Sequence, residues 1–328
     1  MNIKRVSLFL ALVLSLSLIL SSAACAGDWE GITLKISHNL SSTDILQTYL
    51  QQAADKIYER TEGKVRFDIY PNGELLTYAE AVEAIASDSH VVYYCAFSDW
   101  KDYYPGAGAY SAAYVFDSVE QYQKFMETDF FANTLAELDK QNIHCLQAGW
   151  IGGFRHTLTN IPVNTMADLK GLSIRTPANP VWVDCFESLG MSVVGMAWSE
   201  TLTAVSQGSI DSVEGTYSTV VSYNCWDYFK YLTETKHIIQ AECLWMSANV
   251  WNSIPAAYQA IISEEMKPAV QGYVQASADL ESQMRQQAID NGMEVNREID
   301  LSEFKAAAGK YVLQYDIGQE MLDVLAGL

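Results

Sequence analysis

The sequence has 328 residues, of which 40 are acidic and 20 are basic, so its formal net charge is −20 at pH 7. A protein this acidic is not expected to bind nucleic acid or an anionic membrane surface, because both repel negative charge. The chain is long enough for two domains, each with a buried core.

The N-terminus has the pattern of an export signal. Lys4 and Arg5 precede an apolar run at 6–20, and small residues follow it. A cut before Gly27 predicts a soluble mature protein, so we assign residues 1–26 to a signal peptide. The alternative is a lipoprotein with a lipid attached to Cys25. The apolar run is too short to predict a transmembrane span.

The first half of the mature chain alternates strand and helix patterns. Strands are predicted at 32–37 and 65–69, where apolar and polar residues alternate, and an amphipathic helix at 44–61. The unit continues with a helix at 78–87, a strand at 91–95, a loop at 101–116, a long helix at 119–141 and a strand at 143–150.

A second unit with the same order follows, and two such units in tandem predict two similar α/β lobes with mixed sheets flanked by helices. A β-rich stretch at 237–250 is expected to pass between the lobes, and a helix at 255–291 is long enough to brace both. We assign residues 27–152 and 241–280 to the first lobe. Residues 153–240 and 281–328 form the second. The predicted elements are strands at 172–174, 192–194 and 210–213, helices at 181–189 and 199–207, and two helices within 302–325.

Two isolated arginines mark the region where a ligand is expected. Arg175 follows a short predicted strand, at the end where open α/β sheets bind ligands, and Arg155 precedes it by twenty residues. No other arginine occurs between Arg66 and Arg285. Two guanidinium groups in an acidic protein favour a carboxylate or sulfonate site. The alternative is that both arginines form ordinary ion pairs.

Several motifs together resemble the solute-binding proteins of tripartite ATP-independent periplasmic (TRAP) transporters, of the C4-dicarboxylate-binding type. The resemblance extends over nearly the whole mature chain and keeps the motifs in order. It implies a periplasmic-binding-protein-like fold, a location in the periplasm and a monomer that captures an organic acid. It also implies delivery of that acid to the small and large subunits of a membrane permease. The motifs are at 61–65, 70–75, 168–175, 178–182, 196–200 and 207–211.

The resemblance also assigns ligand contacts. The family's central carboxylate-binding arginine falls on Arg175, and its frequent second arginine falls on Arg155. A customary asparagine is replaced by Gly215. Losing that amide removes a hydrogen-bond donor near the carboxylate, so we expect the orientation of the ligand to differ from that in the family.

Seven further residues are predicted to contribute to the pocket, most of them by their place at strand ends. If several of the aromatic residues line the cleft, the ligand is a bulky or aromatic acid rather than a small dicarboxylate. The alternative for each aromatic residue is core packing, and for the polar residues a solvated loop. These residues are Trp150, Trp198, Tyr217 and Tyr94, with His38, Asn39 and Glu74 as polar contacts.

The sequence favours a binding protein over an enzyme. The five histidines show no metal-ligand spacing, and neither a G-x-S-x-G nor a P-loop motif is present. We therefore predict no cofactor and no metal. The cysteines after Cys25 show no C-x-x-C spacing, and their odd number leaves at least one thiol unpaired. A sensory protein that reports to a membrane receptor remains an alternative to a transport component. The cysteines are Cys95, Cys145, Cys185, Cys225 and Cys243.

Overall fold

The computed structural model describes residues 29–328, and the predicted signal peptide with Cys25 lies outside them. The described chain forms two mixed sheets flanked by helices, which confirms the predicted two-lobed α/β fold. The strands are β1 Ile32–Ser37, β2 Val65–Tyr70, β3 Val91–Ala96, β4 Ile143–Phe154, β5 His156–Thr159, β6 Ser173–Thr176, β7 Ser192–Gly195, β8 Ser212–Gly215, β9 Tyr231–Thr233, β10 Ile239–Ser247 and β11 Glu294–Asn296.

Several helices begin after a residue whose side chain caps the first turn. Asp44 accepts a hydrogen bond from the backbone N–H of Leu46, and Thr77 and Glu80 form a reciprocal capping box. The α-helices are α1 Ile45–Arg60, α2 Tyr78–Ala86, α3 Val119–Phe125, α4 Asp129–Lys140, α5 Pro180–Ser188, α6 Trp198–Ser206, α7 Tyr217–Ser222, α8 Ala248–Ser253, α9 Ala256–Asp290, α10 Ser302–Ala308 and α11 Gly318–Ala326.

The first sheet has the strand order β2-β1-β3-β10-β4. Strands β1, β2 and β3 run parallel, and β10 pairs antiparallel with both β3 and β4. Leu34 and Ile36 of β1 are fully buried, as the alternating pattern predicts for the core face of a strand.

The second sheet has the order β11-β9-β5-β8-β6-β7. Strand β6 lies parallel to β7 and β8, and β5 is antiparallel to β8 and β9. The carboxyl ends of β6, β7 and β8 therefore meet at one edge, where the side chains that follow them are brought together.

The chain passes between the two sheets at three places. It crosses at Arg155, between β4 and β5, and again through residues 234–238, between β9 and β10. The long helix α9 makes the third connection, because it packs on α1 and β4 of one lobe and on α7 and β11 of the other. Such multiple connections are typical of hinged lobes that enclose a ligand.

Several features differ from the predicted elements. The expected helix at 119–141 is two helices, because Thr128 caps α4: its hydroxyl accepts from the backbone N–H of Phe131. The strand expected at 210–213 lies two residues later, as β8. The short strands β5, β9 and β11 and the short helices α7 and α8 were not predicted from the sequence.

The predicted division of the chain into lobes stays a prediction. Val312, Met321 and Leu325, which we placed in the second lobe, pack in a core cluster with residues of the first sheet. All five cysteines from Cys95 onward are free thiols in the part of the chain that the structure describes.

Candidate functional site

A cavity of about 360 Å³ lies between the two sheets. Its first-lobe wall is formed by residues that follow β1 and β2, by the end of β3 and by β10. Its second-lobe wall comes from the segments after β6 and β7 and from α7. The side chains that matter most for its chemistry are Asn39, Tyr78, Tyr93, Tyr94, Asp99, Arg155, Arg175, Asn179, Trp182, Trp198, Thr219, Tyr223, Gln240 and Glu242.

Arg175 lines this cavity without an acidic partner. It sits near the carboxyl end of β6, and its side chain is 5% exposed. Its Nε and Nη2 atoms both donate to the backbone carbonyl of Met196, at 3.0 and 2.7 Å, and the guanidinium lies 5.2 Å from the centroid of the Trp198 ring. Within residues 29–328, no carboxylate lies within ion-pair distance of it.

The environment of Arg175 is unusual for a cation. Burial lowers the pKa of Arg175 to about 10, and the nearby Arg155 adds to this effect, while Glu214 opposes it. The side chain stays protonated at neutral pH. The Met196 carbonyl and the Trp198 indole fix the direction of the guanidinium. The Nη1 donors of Arg175 have no partner among the described residues. A fixed guanidinium with unused donors is suited to binding an anion.

Arg155 has a different environment, because its charge is already compensated. Its Nε and Nη2 atoms donate to the carboxylate of Glu214, with Nη2 at 2.7 Å from Oε1, and its Nη1 atom donates to Gln240 at 2.7 Å. Trp182 covers the guanidinium at 4.9 Å, and the His237 ring lies 3.4 Å from Glu214. The predicted alternative of an ordinary ion pair therefore applies to Arg155 and not to Arg175.

The first-lobe wall carries two carboxyl groups. Asp99 accepts hydrogen bonds from the backbone N–H of Ala96 at 3.1 Å and from Asn179 at 2.8 Å. Burial raises the pKa of Asp99 to about 6, although the hydrogen bond from Asn179 opposes this. Glu242 faces the same cavity from β10, and burial together with the charge of Asp99 raises its pKa to about 8.

Polar contacts join the two lobes across the cleft. Asn179 of the second lobe donates to Asp99 at 2.8 Å and to Ser98 at 3.2 Å. Ser218 donates to the Asp44 carboxylate at 2.5 Å, and the Tyr223 hydroxyl donates to the Asn39 carbonyl at 3.2 Å. These contacts join the two lobes at three places.

The comparison with known protein families agrees with this architecture. The model of the family "bacterial extracellular solute-binding protein, family 7" matches residues 36–317. The chain belongs to this family.

Relatives and solved structures place this solute-binding protein among those of TRAP transporters. The sialic acid-binding periplasmic protein of Vibrio cholerae is 24% identical over 313 residues, which is 94% of this chain and 97% of the relative. A TRAP solute-binding protein from Desulfovibrio salexigens, solved with diglycerolphosphate, is 30% identical, with a TM-score of 0.87 over 90% of this chain and 97% of that one. A third, from Actinobacillus succinogenes, was solved with L-galactonate; it is 21% identical, with a TM-score of 0.86 over 90% of this chain and 100% of that one.

The family assignment confirms the prediction of a binding protein rather than an enzyme. None of the helices that the structure describes is long and apolar enough to cross a membrane. Within residues 29–328, no group of three or more histidine, cysteine and acidic side chains is arranged to hold a metal ion.

Half of the residues that the sequence predicted for the site line the cavity of this solute-binding protein. They are Arg175, Arg155, Trp198, Asn39 and Tyr94.

The other five predicted residues lie outside the cavity lining. Trp150 is fully buried in a core cluster beside Tyr273, and His38 is fully buried with its Nε2 atom 3.0 Å from Gln47. The Tyr217 hydroxyl donates to Glu234 at 2.9 Å, in a network with Arg285 near α9. The remaining two are Glu74 and Gly215.

Glu74 and Gly215 lie outside the cavity lining for different reasons. Glu74 is exposed and accepts a hydrogen bond from Asn72 at 3.2 Å. A Cβ atom at position 215 would lie 3.0 Å from the Thr219 side chain, which itself lines the cavity. Thr219 therefore occupies the space into which a larger side chain at 215 would extend.

Sequence reasoning missed Glu242, Asp99, Gln240 and Tyr223 as lining residues. Glu242, Asp99 and Gln240 lie in no recognisable motif. The pairing of β10 with β3 and β4 is what brings Glu242 and Gln240 to the cavity. Asn179 lies in the motif at 178–182. Its place before Pro180 is typical of a helix N-cap.

We expect Ser218→Ala to shift the lobes toward an open arrangement. The substitution removes the donor to Asp44, and a hydrogen bond to a charged group contributes about 1.5–3 kcal/mol. The closed population, and with it the affinity for a bound acid, should fall about tenfold or more. Small-angle X-ray scattering should show a larger radius of gyration for the variant, and titration calorimetry a weaker affinity.

The matched control for this variant is Ser206→Ala. The Ser206 hydroxyl donates to the Leu202 carbonyl within α6 and joins no lobes. Equal radii of gyration and equal affinities in the two variants would mean that the Ser218 contact does not hold the cleft closed.

Proposed function

We propose that this protein captures an organic acid anion in the periplasm, closes around it and delivers it to a TRAP membrane permease. The anion is a carboxylate, a sulfonate or a phosphate ester. The observation that carries the proposal is the state of Arg175: its buried guanidinium lines an interlobe cavity, has unused donors and forms no ion pair within residues 29–328.

Physical chemistry supports an anion as the missing partner of Arg175. A buried cation without a partner is costly, whereas a bound anion would supply both the opposite charge and hydrogen-bond acceptors. The volume of about 360 Å³ falls within the range of small-molecule sites. Trp182 and Trp198 offer apolar faces to the rest of the ligand.

The ligands of related proteins support the same class of ligand, a small organic anion. The Vibrio cholerae relative is named for sialic acid, and the structures from Actinobacillus succinogenes and Desulfovibrio salexigens hold L-galactonate and diglycerolphosphate. Each of these ligands carries an anionic group on a small polar molecule. We propose that Arg175 binds this group directly and that Arg155, through its pair with Glu214, shapes the site around it.

A ligand screen tests the proposed function. Native mass spectrometry of the purified protein, followed by a thermal-shift screen of sugar acids, amino acids, aromatic acids, sulfonates and phosphate esters, should find an anion that raises the unfolding temperature. A ligand at one hundred times its dissociation constant stabilises the folded state by about 2.7 kcal/mol. A screen in which only cationic or uncharged compounds stabilise the protein would contradict the proposal.

A further inference from the structure

The carboxyl group of Glu242 has no hydrogen-bond or ion-pair partner within residues 29–328. Its side chain lines the first-lobe wall of the cavity, whereas Arg175 lines the second-lobe wall. Among the described residues, no side chain or backbone N–H donates to the Glu242 carboxyl, and no basic side chain lies within ion-pair distance. The nearby Arg155 directs its donors to Glu214 and Gln240 instead.

The side chain of Tyr94 lies beside Glu242. Tyr94 lines the same cavity and is 5% exposed, and its hydroxyl is buried on the side of Tyr273 rather than open to the cavity. Glu242 pairs with Ala96, and Leu244 pairs with Tyr94, so Glu242 and Tyr94 are diagonal neighbours on one face of the first sheet. The acceptor of Glu242 therefore lies next to an aromatic side chain on this wall of the cavity.

The carboxylate of Asp99, close to Glu242, does have hydrogen-bond partners in the protein. One carboxylate oxygen of Asp99 accepts a hydrogen bond from the backbone N–H of Ala96, and the other accepts one from Asn179. The hydrogen bond from Asn179 joins the two lobes. The negative charge of Asp99 makes an ionised Glu242 still less favourable, and burial acts in the same direction to raise the pKa of Glu242. A donor group brought by a ligand would relieve this cost.

We propose that Glu242 is a specificity-determining residue, which accepts a hydrogen bond from an ammonium or hydroxyl group carried by the bound acid. This inference rests on the proposed function, because it places the anion of the same molecule on Arg175. The ligand is then an amino acid-like or hydroxylated acid rather than an apolar aromatic acid. The two unpaired groups, a guanidinium on one wall and a carboxyl on the other, match the two ends of such a molecule.

Matched triplets of probe acids test the inference. For straight-chain carboxylates of increasing length, and for each acid skeleton found in the ligand screen, we compare a member that ends in a methyl group with members that end in a hydroxyl or an ammonium group. Titration calorimetry on the wild-type protein should show that a donor-bearing member binds at least about tenfold tighter than its methyl counterpart. Equal or tighter binding of the methyl members would overturn the role of Glu242.

Two variants separate the two kinds of donor. Glu242→Met removes the acceptor at similar volume and should abolish the preference for either donor. Glu242→Gln keeps an acceptor but removes the charge, so it should abolish a preference for ammonium and preserve a preference for hydroxyl. Glu187→Gln, on the exposed face of the helix that carries Trp182, is the control and should bind as the wild type does.

The outcomes also distinguish the inference from the proposed function. If no acid of any kind binds the wild type, the proposed function fails, and the inference with it. If acids bind but the donor preference persists in Glu242→Met, only the inference fails. The wild-type comparison needs no variant, so it can overturn the inference even if Glu242→Met does not fold, and Glu242→Gln then tests a preference for ammonium.

Discussion

Arg175→Ala is expected to lose nearly all affinity for the bound acid. Truncating one partner of a buried charge pair costs about 2–5 kcal/mol of binding free energy, which corresponds to a loss of roughly thirtyfold to several thousandfold. The cost is expected to be in this range because Arg175 is 5% exposed and no carboxylate of residues 29–328 lies within ion-pair distance to replace the ligand. Titration calorimetry with the acid found in the screen measures it.

Arg175→Lys is expected to lose most of the affinity as well. A lysine ammonium cannot form the planar, two-bonded contact with an anion, and it cannot bond the Met196 carbonyl with the same geometry. The matched control is Arg66→Ala, because Arg66 is an exposed arginine that pairs with Asp68 on β2. If Arg175→Ala binds the acid as tightly as Arg66→Ala does, the assignment of Arg175 is wrong.

The second large effect concerns stability. Glu214 is 1% exposed and holds the Arg155 guanidinium through two hydrogen bonds. Removing one partner of a buried ion pair leaves an uncompensated charge, which costs about 3–5 kcal/mol. We therefore expect Glu214→Gln to lower the free energy of unfolding by several kcal/mol at pH 7, measured by chemical denaturation of the ligand-free protein.

The pH dependence of this effect has a definite sign. Burial alone would raise the pKa of Glu214, but Arg155 and His237 outweigh it and lower the pKa to about 2. A carboxyl whose pKa is lowered on folding contributes stability above its unfolded pKa and loses that contribution as the pH falls toward the folded value. The difference between Glu214→Gln and the wild type should therefore shrink between about pH 4.5 and pH 2.

An exposed ion pair provides the control for Glu214. Glu294 pairs with Lys230 at 3.4 Å, and both side chains are largely exposed. Glu294→Gln is expected to change stability by no more than about 1 kcal/mol. If Glu214→Gln at pH 7 is no less stable than Glu294→Gln, the Arg155–Glu214 pair does not stabilise the second lobe.

Much of the fold could be predicted because the local patterns agree with the tertiary structure. The strand at 32–37 and the helix at 44–61 show clear periodicity and clear caps, and both were predicted to within a residue at each end. The long helix α9 was also predicted closely, from a run whose only helix breakers are Pro268 and Gly272. The three-residue strands β9 and β11 were missed, because so short a segment shows no periodicity.

The site was less predictable than the fold. The position of Arg175 after a short strand was visible in the sequence, since it depends only on local structure. Whether an arginine is paired was not visible: Glu214 is fifty-nine residues from Arg155, and the pairing of β5 with β8 brings them together. Tyr217 and Trp150 were predicted by residue type and strand end, but the direction of a side chain depends on register and packing.

The direct measurement is a crystal structure of the protein with the acid identified in the screen. We predict an anionic group within hydrogen-bond distance of the Arg175 guanidinium, enclosed between the two sheets with the Ser218–Asp44 and Asn179–Asp99 contacts formed. A ligand bound elsewhere, or bound in the cavity with its anion away from Arg175, would contradict it.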